Sequence, residues 1–426
     1  MTPKQLFSLP RRLKAGAGHA VFLSIFLSIA ACGGGGGGDT NLAPPPPPPP
    51  PPPVSGDDAR RAVLADIGEM IILPSLRDFV TEAESLQTAA ASLAAAPTDM
   101  AAQDAAKAAW EVAMNSWQRN EVLQVGPAGR STNPDSVAGG QDFRELIYSF
   151  PFTVDTCGLE EAANDGDAVT GATPINITGL GAMEHLLFTD TPPAACTSQP
   201  DATARAAHVS RLADRVVVLA TSLRDRWEPG SDNFIEQWST AGLATSVTYT
   251  QPQDALDALS IALFYVEKIT KDRKVAQPTG LPATGLTCSD PIACPEFLES
   301  RLSRRSGANL IANVQAFRDL FTGVNGGMGV NDLLIGIDRQ DLADQIVLEL
   351  DAALDQLNTI ENGGGFDTAV EAIADNTECT NAFSSSSGLP PCALLGVLKT
   401  AMDTFRGPIV SALSLAVPDS AAGDND

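Results

Sequence analysis

Histidine is almost missing from this chain: three of 426 residues, one of them, His19, in the leader. No His-Glu-x-x-His run occurs, which excludes the helix-borne zinc site of common metallopeptidases. Cysteine is never spaced Cys-x-x-Cys, so with two histidines left outside the leader a structural Cys/His zinc site lacks ligands. Neither a Gly-x-Ser-x-Gly elbow nor a Gly-x-x-x-x-Gly-Lys loop appears, which removes the usual serine-hydrolase and phosphate-loop readings. Positive charge is short as well. With 27 Lys and Arg against 52 Asp and Glu the net charge is −25, a field that disfavours nucleic acid and suits a solvated acidic surface. Segments that alternate with period two are few, so a sheet is not expected.

What is present begins with an export signal. Lys4, Arg11, Arg12 and Lys14 precede an apolar run from Ala20 to Ala31 that is short for a membrane span. Ile29-Ala30-Ala31-Cys32 resembles a bacterial lipobox, which makes residues 1–31 a cleaved lipoprotein signal and Cys32 the lipidated first residue. Loss of the four basic residues takes the net charge from −25 to −29. Residues 32–56 follow as a tether: Gly33 to Gly38 is flexible, and the ten prolines Pro44 to Pro53 favour an extended rod of roughly 30 Å. The expected place is the bacterial envelope, on the outer membrane through the lipid, facing the periplasm or the cell surface. The other six cysteines then meet an oxidising compartment, and six allow 15 connectivities. Neighbour pairing is expected, Cys157 with Cys196, Cys288 with Cys294 and Cys379 with Cys392, because each pair brackets a loop rich in Gly, Pro, Ser or Thr.

The body reads as helical throughout. Val63, Ile67, Met70, Phe79, Ala83 and Leu86 share a face, with Pro74 placed to kink or divide the helix. Pro97-Thr98-Asp99 breaks an alanine-rich stretch and starts a helix through Trp110, Trp117 and Arg119, ending before Gly126-Pro127. Leu212, Val216, Leu219, Leu223 and Trp227 form a long amphipathic face from Ala202 to Trp227. Further faces run through Leu256 to Ile269, Leu310 to Phe321, Ile346 to Leu357 and Ala393 to Leu415. The expected organisation is an N-terminal bundle over 57–250, a C-terminal bundle over 251–417 and an acidic tail over 418–426.

The candidate centre is Gly179-Leu180-Gly181-Ala182-Met183-Glu184-His185-Leu186-Leu187-Phe188, a carboxylate and an imidazole inside an apolar run. A buried carboxylate needs a partner, and Arg119, Arg301 or Arg304 is the natural cation. This stretch resembles the Gly-x-His-x-x-Glu signature of the imelysin-like envelope proteins: Gly179 and Glu184 match, and Gly181 stands at the histidine position. His185 lies one residue past the glutamate, about 100° round a helix, and does not replace it. The tryptophan-rich helix with Trp117 and Arg119, and Arg301 and Arg304 with the following residues to Gly323, also resemble that family. The resemblance implies an all-α fold of two helical bundles with a cleft near the signature, and an association with iron acquisition. Three functions stay open: a non-catalytic protein binding a small ligand or metal, with iron or zinc on Glu184, His185 and an acid such as Glu145 or Glu160; a metallopeptidase; and a surface lipoprotein with protein partners and no small ligand.

Overall fold

The structure, a computed structural model, describes residues 56–132, 135–148, 154–281, 288, 292–382 and 387–421. The signal, Cys32, most of the tether and the last residues of the acidic tail lie outside the described residues. Among the described residues the fold is all-α, with a single bridge between Arg130 and Ser136 and no strand. The first half holds α1 (Asp57–Asp66), α2 (Leu73–Ala95), α3 (Met100–Glu121), α4 (Phe143–Ile147), α5 (Thr156–Asp165), α6 (Gly179–Phe188), α7 (Ala202–Trp227) and α8 (Phe234–Ser239). The second holds α9 (Pro252–Tyr265), α10 (Ser306–Thr322), α11 (Val330–Ile335), α12 (Gln340–Asn362), α13 (Phe366–Glu371), α14 (Thr377–Thr380), α15 (Pro390–Thr404) and α16 (Val410–Leu413).

The apolar stripes decide the packing. In the first half α2 lies between α3 and α7 and buries Leu76, Phe79, Ala83 and Leu86, while α6 seats on α3 and α7. In the second, α12 packs on α10 and α15 through Ile346, Leu350 and Leu357. Contact of α10 with α3 makes the hydrophobic core continuous through both groups. All four tryptophans, Trp110, Trp117, Trp227 and Trp238, are fully buried. Asp99 caps α3 by accepting from the Ala102 amide at 2.9 Å, as its place after Pro97 predicts.

Proline shapes the helix axes without ending them. Ile67–Ile72 and Phe405–Ile409 are wide, π-helical turns, the first just before Pro74 and the second containing Pro408. A proline has no N–H to donate and crowds the preceding turn, and widening that turn relieves both. A longer π-helical segment, Val266–Ala276, continues α9. The α-helical phase of the apolar stripe is lost there, and the charged Glu267, Lys271, Asp272 and Lys274 fall inside.

The three disulfides join Cys157 to Cys196, Cys288 to Cys294 and Cys379 to Cys392, the expected neighbour pairing.

Candidate functional site

The signature helix α6 is buried over nine of its ten residues. Gly179 opens it at φ +76°, and a Cβ there would sit 2.4 Å from the Ile147 carbonyl oxygen, so glycine is required on both counts. Trp110 Nε1 donates to the Leu180 carbonyl at 2.9 Å and its ring packs on Phe188, which pins α6 to α3.

Gly181, Glu184 and His185 border a cavity of about 350 Å³ with Glu296, Glu299 and Arg301 across it. Glu184 is 3% exposed. Its partner is not an arginine: Oε1 accepts from the Ser303 amide at 3.0 Å and the Ser303 hydroxyl at 2.8 Å. Burial pushes the Glu184 carboxyl up to about 7, the Ser303 bonds oppose the rise, and the negative Glu299 and Asp367 add to it. The expected cations are engaged elsewhere. Arg119 pairs with Asp319 at 2.7 Å and Arg304 with Glu371 at 2.5 Å, both arginines about half exposed, while Arg301 is an exposed residue on the cavity rim. A serine hydroxyl and an amide replace the cation because the loop carrying Ser303 passes directly over α6. Of the three neighbouring arginines, Arg305 is the one that reaches the first half, at Glu111, 3.1 Å. Trp117 is buried against Phe79 and does not reach the cavity wall.

His185 turns to another element. Its Nε2 lies 2.8 Å from Glu160 Oε1 on α5, and Arg205 Nη2 approaches the same oxygen at 3.2 Å. Glu145 instead meets Arg130 and Arg144. Among the described residues no group of three or more His, Cys, Asp or Glu side chains could hold a metal ion. Glu184 and His185, each bound to a different protein partner, therefore do not fit iron or zinc as a ligand set.

Behind the cavity lies a buried polar cluster that the sequence reading missed. Lys274 Nζ meets Gln118 Oε1 at 2.8 Å, Glu121 Oε2 at 3.0 Å, Asn313 Oδ1 at 2.9 Å and Glu299 Oε1 at 2.8 Å. Arg144 and the Tyr265 hydroxyl also donate to Glu121, and the Tyr148 hydroxyl and Gln118 Nε2 to Glu299. Burial alone would raise both carboxyls. Two cations outweigh it at Glu121, whose pKa falls, whereas Lys274 offsets only part of it at Glu299, whose pKa rises. Glu299 Oε2 is buried with no hydrogen-bond partner. The cavity wall thus carries Glu184, whose carboxyl holds its proton toward neutral pH and can donate it to, or lose it to, an incoming group, and Glu299, whose pKa is raised by burial. A signal for the cluster exists in α3: Gln118 and Glu121 fall in register with Trp110, Met114 and Trp117, on the apolar stripe rather than the wet face.

A family model described as Imelysin, a peptidase family, matches residues 72–385. Among solved structures, an imelysin-like protein from Psychrobacter arcticum 273-4 superposes with a TM-score of 0.62 at 14% identity, over 86% of this chain and 99% of that one. A protein from Parabacteroides distasonis ATCC 8503, described as a candidate iron-regulated protein A precursor, superposes with a TM-score of 0.57 at 17% identity, over 81% and 95% of the two chains. No curated protein matches.

Proposed function

Because the chain belongs to the imelysin family, we propose that it is a non-catalytic, lipid-anchored envelope protein that binds a small ligand in the service of iron uptake. The observation that carries this reading is the cavity of about 350 Å³ beside Gly181, with Glu184, raised to about 7, and the buried Glu299 in its wall. Its volume lies in the range of small-molecule sites. The iron connection is supported by the likeness to the Parabacteroides protein, which is described as iron-regulated. Hydrolysis on zinc requires about three protein ligands and an open position for water, and the described residues offer no such group. The long proline tether suits presentation of the body away from a membrane surface.

Calorimetric titration of the mature protein with ferric citrate, a small iron chelate, and with the free iron, zinc and copper ions as controls, alongside a protease assay, tests the reading. Saturable binding of the chelate that Glu184→Gln weakens, with no peptide hydrolysis, supports it; no binding of the chelate, or zinc-dependent proteolysis, defeats it. Anchoring is tested separately. Cys32→Ser should release the protein from membrane fractions and abolish lipid labelling, and unchanged labelling would sink the lipobox reading.

A further inference from the structure

A second cavity, of about 260 Å³, shares no lining residue with the first. In a chain where acids outnumber bases almost two to one, its wall gathers four cations, Arg130, Arg144, Lys268 and Arg273, against two carboxylates, Asp135 and Glu145. Both carboxylates are occupied, and Lys268 lies 3.8 Å from Asp272 on its own helical segment. Asp135 accepts from the Ser420 amide at 3.3 Å and its hydroxyl at 2.7 Å, and Glu145 is shared by Arg130 at 3.3 Å and Arg144 at 3.0 Å.

Arg144 is the anchor of this wall. It is 9% exposed, its Nη2 is held by Glu121 at 2.9 Å, and its Nε is buried with no hydrogen-bond partner. An unsatisfied buried donor of a charged group is costly, and a bound acceptor would relieve it. Burial lowers the Arg273 pKa, and repulsion from Arg144 lowers it further, as expected where like charges are held together away from water. The rest of the wall includes an apolar part: Ile261, Phe264 and Ile269, from α9 and the π-helical segment after it.

We propose that this cavity binds a small organic carboxylate, its head among the arginines and its hydrocarbon body along Ile261, Phe264 and Ile269. A carboxylate matches the planar guanidinium fork. The apolar wall selects for an organic body over a bare inorganic anion, which would leave that wall wet. The site touches the buried cluster from the other side, since Arg144 and Tyr265 both donate to Glu121.

Calorimetry of the mature protein with hexanoate and with benzoate tests the assignment, with hexanamide as the uncharged control and inorganic phosphate as the bare anion. Saturable binding of a carboxylate at one site per chain is expected, with none for hexanamide. Arg273→Gln and Lys268→Gln should each weaken it about tenfold, the loss of one charge-assisted contact, with unchanged circular dichroism. Arg144 is left intact because Glu121 depends on it. Absence of saturable binding by either carboxylate, or binding that neither variant weakens, overturns the proposal. Phosphate binding as tightly as the carboxylates overturns the organic class.

Discussion

Removing Glu184 from water raises its carboxyl to about 7 from an ordinary 4.5, and the two bonds from Ser303 offset only part of that rise. Asp367, whose carboxyl accepts from the Ser306 amide and hydroxyl, is raised by burial to about 6. A carboxyl raised on folding makes the native state hold protons that the unfolded chain has released. Its contribution is full below about pH 4.5 and is lost as pH rises through about 7, a change of roughly 3 kcal/mol for Glu184. Glu184→Gln keeps the acceptor for Ser303 and never ionises. Urea denaturation should therefore find the variant more stable than the parent at pH 8, by up to about 3 kcal/mol, and nearly equal to it at pH 4.5. A loss of stability at pH 8 would reveal a cation at Glu184 and contradict the Ser303 geometry. The sequence indicates that Glu184 is buried and needs a partner. It does not indicate that the partner is a hydroxyl 119 residues away, because serine carries no charge or periodicity that would mark it out.

Helices are the part of this protein that the sequence spells out most fully, down to the extent of α7 and the Asp99 cap. The π-helical segment Val266–Ala276 is the exception, since its apolar pattern continues from α9 while its turns widen and bring Lys274 inward. The polar cluster was legible only in part: Gln118 and Glu121 stand in register on the apolar stripe of α3, whereas Lys274 is an ordinary surface residue by type and only its tertiary partners explain its burial. In α6 the dependence on one residue is sharper. Gly179→Ala must hold a side chain at positive φ and push a methyl against the Ile147 carbonyl. A loss of at least about 2 kcal/mol is expected, read as a lowered melting temperature. Gly166→Ala, also at positive φ but with open space around its Cβ, should cost less, which separates backbone strain from the clash.

Three covalent links close loops of different length across the molecule. In the chain-entropy model their contributions rank by loop length. Cys157–Cys196, 39 residues apart, comes first, at about 4 kcal/mol. Cys379–Cys392 follows, 13 apart, and Cys288–Cys294 last, 6 apart. Paired Cys→Ser replacement in each bridge, followed by thermal melting, should reproduce that order, and equal losses would show that loop length does not govern.

The placement of the tryptophans has an optical consequence. All four are buried before residue 250, so intrinsic fluorescence is a probe of the first helical group alone, whereas far-ultraviolet dichroism sums the helices of both. Because one apolar core runs through the two groups, the fluorescence and dichroism transitions in denaturant should superimpose. A phenylalanine-to-tryptophan replacement at Phe405, buried against Phe264 and Phe317 in the second group, would supply a fifth emitter there and should fade at the same midpoint as the other four.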